Sequence, residues 1–217
     1  MLNVNKTDLV RHHEPVSSSD RLAFGAVAAM IWIASKLFGR RYGDRVVVLE
    51  TVAAVPAMVS ATLLHLRCLR RMTDDHGWIR TFMTEAENQR AHLMSFVAIA
   101  HPSGWERFLI LVTQGVFYNS YFLLHLISPR TAHRLAGYIS EQAIEGYTRY
   151  LDRLAEGVQP DVAAPIFAID YWHLSPDAKL SEMLVSMRQD EAIHRDIQHA
   201  FADALASGHT LPDLPEA

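Results

Sequence analysis

The stretch Asp190-Glu191-Ala192-Ile193-His194-Arg195-Asp196 sits in the middle of a long helical run, Lys179 to Leu205. Residues three apart share a helix face, so Glu191 and His194 can reach one cation. Alone, a Glu-x-x-His pair is common on solvated helix faces. It gains meaning if other helices carry matching ligands. The run Gly77 to Ala100 offers His92, with Gln89 three residues before it. The run Asp44 to Met72 offers Glu50, an acid inside the otherwise almost apolar segment Val46–Val55. Burying an unpaired carboxylate costs several kcal/mol, so a metal cation is its simplest partner, and an arginine such as Arg45 is the alternative.

Working outward from these three runs, the whole chain reads as helical. Ser17-Ser18-Ser19-Asp20 offers N-cap oxygens to an apolar segment, Leu22 to Leu37. Pro56 lies inside the Asp44–Met72 run and is expected to kink it. Thr73, Asp74 and Asp75 cap the next helix, which Pro102 and Gly104 stop. Trp105–Ile127 follows, and Ser128-Pro129 reads as the N-cap and first residue of another helix ending near Gly157. Residues 158–178 predict a short helix with loops. Strand-like alternation is scarce. The expectation is an all-α fold, a four-helix, ferritin-like bundle of the di-iron type with two peripheral helices. An arm over residues 1–19, a single bundle domain over 20–206 and a tail over 207–217 complete it.

Composition agrees. A chain of 217 residues, 50% hydrophobic and 20% charged, suits one domain with a sizeable core. Ten Gly and nine Pro are too few for a loop-rich or many-stranded fold. A net charge of −4 gives no footprint for nucleic acid. Cys68 is the single cysteine, which excludes a disulfide framework and thiolate metal clusters. Twelve histidines make metal ligation the first use to test. The N-terminus lacks a secretory pattern, since Arg11, His12, His13 and Glu14 precede any apolar run. Phe108–Ile127 holds no Asp, Glu, Lys or Arg, but Gln114, Asn119 and His125 argue for a helix buried in the bundle or lying in an interface rather than a spanning one. Leu22–Leu37, followed by Arg40, Arg41 and Arg45, reads the same way.

Several motifs in order resemble the alternative oxidase family: Leu49-Glu50-Thr51-Val52-Ala53-Ala54-Val55-Pro56, Glu85-Ala86-Glu87-Asn88-Gln89-Arg90-Ala91-His92-Leu93 and Asp190 to Asp196. His12-His13-Glu14-Pro15, Gly77-Trp78-Ile79-Arg80, Ala136-Gly137-Tyr138 and Asp170-Tyr171-Trp172 extend the match over about residues 10–203. The resemblance implies a monotopic, homodimeric di-iron quinol oxidase that reduces O2 to water. It implies iron ligands at Glu50, His92, Glu191 and His194. It also places Gln89 and Ser140 at two positions where the family has ligand glutamates.

Two carboxylates are therefore missing, and two acids balance two iron ions poorly. Glu85, one turn before Gln89, and Glu141, beside Ser140, are candidate replacements. A single Fe, Mn or Zn held by Glu50, His92, Glu191 and His194 needs neither. The resemblance further assigns Tyr147 a catalytic place beside the metal, and Arg21, Arg45, Leu49, Gln142, Ala143 and Gly146 the wall of a quinol cavity. In that wall Gln142 and Gly146 replace the family's Glu and Thr. His65, His133 and Trp172 match family positions read as away from the metals. The expected function is O2-dependent oxidation of ubiquinol or a related lipophilic molecule, at one or two iron ions. The expected place is the inner face of a bacterial-type or organellar inner membrane. The alternatives are oxidation of a different small molecule on the same scaffold, or a catalytically degenerate metal-binding relative.

Overall fold

The computed structural model describes residues 9–38, 42–100 and 103–207, with only the backbone of residues 37, 38, 42–49, 51 and 100. Seven helices follow one another among them: α1 Ser18–Phe38, α2 Tyr42–Arg71, α3 Trp78–Ala100, α4 Gly104–Ile127, α5 Pro129–Ala155, α6 Ile166–Trp172 and α7 Leu180–Ala206. No strand occurs among the described residues; a single backbone bridge joins Ala163 and Lys179.

Local chemistry sets the helix ends. Asp75 Oδ2 accepts from the Ile79 backbone N–H at 2.9 Å, holding the entry to α3. Ser103 and Glu106 form a reciprocal capping box at α4, and Ser128 caps α5 with Pro129 in its first turn. Glu182 returns to the Lys179 N–H at 2.9 Å at the start of α7. Met72, His76 and Gly77 take positive φ, so the α2–α3 reversal is made by three left-handed residues in six. α2 runs continuously through Pro56.

The bundle is two pairs, α2 against α3 and α5 against α7, with α1 laid on α5 and α4 on α2 and α5. This is the expected four-helix core with two peripheral helices. Met183, Leu184, Met187, Trp172, Tyr150 and Phe96 fill one end of the core. Trp78, Phe82 and Phe201 fill another. α5 approaches α7 so closely that a Cβ on Gly137 would lie 2.5 Å from the His199 ring. That ring cannot yield, because Arg134 Nη1 holds Nδ1 at 2.9 Å and Glu141 holds Nε2 at 3.0 Å. Glycine is required there.

α4 is different from the core helices. Phe108, Leu111, Val112, Val116, Leu123 and Leu126 all stand exposed on it. Among the described residues, two stretches are long and apolar enough to cross a membrane, Val52–Arg71 and Gly104–Ile127. The first is half buried in the bundle, whereas only 11% of the second is buried. Leu22–Leu37 does not meet that test, although Leu22, Trp32 and Ile33 are exposed on α1.

Candidate metal centre

Four helices converge on a buried polar group. α2 contributes Glu50, α3 His92 and α7 Glu191, and one ligand atom from each lies within 4.8 Å of the other two. His92 Nδ1 is 3.5 Å from both Glu50 Oε2 and Glu191 Oε1. α5 adds Tyr147, whose hydroxyl donates to Glu50 Oε1 and stands 3.4 Å from His92 Nδ1. His194 stands slightly apart, 3.8 Å from Glu191 Oε2 and with Nδ1 3.0 Å from Gln89 Nε2. The Gln89 amide also donates to Glu191 Oε1 at 2.7 Å.

Among the described residues, no lysine or arginine enters this group. Burial opposes the charge on His92, His194 and Glu191. His92 nevertheless titrates well above the ordinary imidazole value, because bonds to Asp190, Glu191 and Glu50 outweigh burial. His194 is raised against burial by the Glu191 bond and by the charges of Glu85 and Glu191. Glu191 is held below the usual carboxylate range, against burial, by His194 and His92. His92 thus holds a proton where the carboxylates demand a cation. Glu50 Oε2, Glu191 Oε2 and Gln89 Oε1 are buried without a hydrogen-bond partner. Two carboxylates, an imidazole with its Nδ1 facing them and orphaned oxygens fit a divalent ion of the Fe, Mn or Zn type.

The remaining sequence candidates lie elsewhere. Glu85 is buried and turned to Gln198, whose Nε2 reaches both its oxygens at 2.9 and 3.0 Å. Burial pushes its carboxyl up to about 7. Glu141 points to the N-terminal arm, taking bonds from His12 Nδ1, the His13 N–H and His199 Nε2. Neither carboxylate is among the clustered ligand atoms, although the Glu85 charge reaches His194. Ser140 is buried on α5, and Gln142, Ala143 and Gly146 are half-buried near Tyr147. Arg21 is exposed, and the side chains of Arg45 and Leu49 lie outside the described residues. An apolar cavity of about 520 Å³ is lined by other residues, among them Met30, Val52, Val116, Phe117, Tyr121 and Leu135.

Sequence reading missed Asp190, Asn88 and the place of Trp172. Asp190 Oδ2 accepts from Asn88 Nδ2 and Trp172 Nε1, each at 2.8 Å, and lies 3.4 Å from His92 Nε2. The Trp172 ring is 5.7 Å from the His92 ring, so this residue borders the centre rather than lying away from it. The available signal was the doublet Asn88-Gln89 facing Asp190-Glu191: Asn88 pairs with Asp190 and Gln89 with Glu191, both from α3 to α7.

The family model for alternative oxidase matches residues 3–203. The mitochondrial ubiquinol oxidase 1a of Arabidopsis thaliana is 47% identical over 96% of this chain and 59% of its own length. Its namesake in Oryza sativa subsp. japonica is also 47% identical, over 96% and 63%. The mitochondrial ubiquinol oxidase 2 of Glycine max is 46% identical, over 96% and 62%. The chain spans about three fifths of the length of these relatives. A match over nearly the whole sequence, with close to half of all residues identical to such relatives, establishes that the chain belongs to the alternative oxidase family.

Proposed function

We propose that this chain is an interfacial oxidoreductase that oxidises ubiquinol, or a lipophilic reductant like it, with O2 at a metal centre held by Glu50, His92 and Glu191. The observation that carries the reading is the cation-demanding Glu50–His92–Glu191 group, buried between four helices in a chain of this family. His194 and Gln89 border it. When bound, a redox metal such as iron supplies electron transfer and O2 chemistry that protein side chains lack.

The chain's own residues do the rest. Asp190 accepts from His92 Nε2–H, which leaves Nδ1 facing the two carboxylates. Tyr147, buried and titrating well above an ordinary phenol through burial and the Glu50 and Glu191 charges, keeps its proton on Oη beside Glu50. That proton is placed to move when the charge of the centre changes. The exposed apolar side chains of α4 and the neighbouring cavity between α1, α2, α4 and α5 suit a lipophilic substrate arriving from a bilayer. An inner-membrane location and a homodimer, as the resemblance implies, belong to the same reading.

The test is O2 uptake by protein reconstituted with Fe(II) in liposomes containing ubiquinol. Uptake that depends on ubiquinol and disappears in Glu191→Gln supports the reading. Metal-loaded, liposome-bound protein that leaves ubiquinol untouched rejects this substrate.

A further inference from the structure

We infer that the centre is built for one metal ion rather than two, with the Gln89 carboxamide standing in the place of the second. The inference rests on the metal-binding part of the function proposed above and is independent of the substrate.

Charge comes first. Glu50 and Glu191 are buried to within 3% and 1% exposure and carry two negative charges between them, which balance one divalent ion. A second divalent ion would leave a net charge of about +2 away from water, at a cost of several kcal/mol per ion. None of the three other nearby acids is turned to relieve it: Asp190 is held by Asn88 and Trp172 on the Nε2 side of His92. Glu85 is committed to Gln198, and Glu141 to His12, His13 and His199. Ser140, buried on α5, brings no charge.

Geometry then says what fills the space. The orientation of the Gln89 amide is fixed by its neighbour: an amide oxygen 2.7 Å from the Glu191 carboxylate would meet a second acceptor, so the atom there is the –NH2. That same nitrogen lies 3.0 Å from His194 Nδ1. With His194 neutral at Nδ1, one N–H serves Glu191 and the other His194, the two α7 side chains beside the amide. A primary amide offers a positive dipole end where an ion would offer full charge, and satisfies both groups with none. Glu50 Oε2, 3.5 Å from His92 Nδ1, and Glu191 Oε2, 3.8 Å from His194 Nδ1, keep unpartnered oxygens for a single ion, as does Gln89 Oε1.

The experiment is an anaerobic titration of the full chain with Fe(II), and separately Mn(II). Ions per chain are counted by elemental analysis after gel filtration, and the Mn(II) form is examined by electron paramagnetic resonance. One ion per chain, with the spectrum of an isolated Mn(II), is expected. Glu50→Gln should weaken that binding by at least about 100-fold, more than loss of an outer hydrogen bond does. Gln89→Glu with Ser140→Glu should raise the count toward two and produce an exchange-coupled spectrum. Should the double variant not fold, the spectrum of the unaltered chain and the count in Gln89→Glu alone decide. Two ions or a coupled pair in the unaltered chain overturns the inference, as does folded protein that binds none. One ion in a chain that does not oxidise ubiquinol upholds the inference while rejecting the substrate.

Discussion

The Tyr147 hydroxyl on α5 donates a hydrogen bond to Glu50 Oε1 on α2, tying the two helices together inside the bundle. This bond satisfies one carboxylate oxygen and leaves the other, Oε2, to a cation. Tyr147→Phe should therefore destabilise the metal-free protein by about 1–3 kcal/mol, the cost of orphaning a buried acceptor. Metal-loaded protein should lose less, because the ion still satisfies Glu50. Thermal unfolding of both forms checks this: the rise in Tm on adding Mn(II) should be larger in the variant. An equal rise in both would show that Glu50 does not face the ion.

Asp190 holds His92 by Nε2 and is itself fixed by Asn88 and Trp172. Asp190→Asn loses the charge whichever way the amide turns, and with its –NH2 inward it also faces three donors, on Asn88, Trp172 and His92. His92 is then free to change tautomer or rotate. A drop in metal affinity of roughly 10–100-fold is expected, the usual range for an outer hydrogen-bond partner. Competition against a chelator measures it, and circular dichroism separates it from unfolding.

Glu141 fastens the N-terminal arm to α7. Burial raises its pKa, but bonds from His199, the His13 N–H and His12 outweigh burial and bring it below the ordinary value of 4.5. A folded pKa below the unfolded one means its contribution to stability is complete above about pH 4.5 and is lost as pH falls through the folded value. Glu141→Gln should be less stable than the parent at neutral pH, and the gap should close in acid. Urea unfolding of both proteins across that range checks the sign; a gap that widens in acid contradicts it.

The exposed apolar side chains of α4 predict reversible attachment to bilayers. Leu111→Glu with Val116→Glu and Leu123→Glu alters only exposed positions, so the fold should survive. Flotation with liposomes should recover the parent in the lipid fraction and leave the triple variant behind. Equal flotation would place the membrane contact on another face.

Much of this architecture was legible in the chain. Ser128-Pro129 and Asp75 mark helix ends because caps are local chemistry, and both appear as read. Glu50 stood out because an acid in an apolar helix needs a partner, and α3 and α7 bring it His92 and Glu191. Side-chain direction across helices was not legible. Spacing alone kept Glu85 and Glu141 as replacement ligands, yet each turns to a partner on another element, Gln198 and His199. Asp190 was hidden for the same reason, since its importance lies in what α3 and α6 present to it. Leu22–Leu37 and Phe108–Ile127 read alike in the sequence, and both leave apolar side chains exposed, among them Trp32 on α1 and Leu111 on α4.

Anomalous diffraction from crystals of the chain soaked with Mn(II) tests the central claim most directly. One peak is predicted, within bonding distance of Glu50, His92 and Glu191, with the Gln89 amide still between Glu191 and His194. No peak at that position, or two peaks with the amide displaced, would contradict the account.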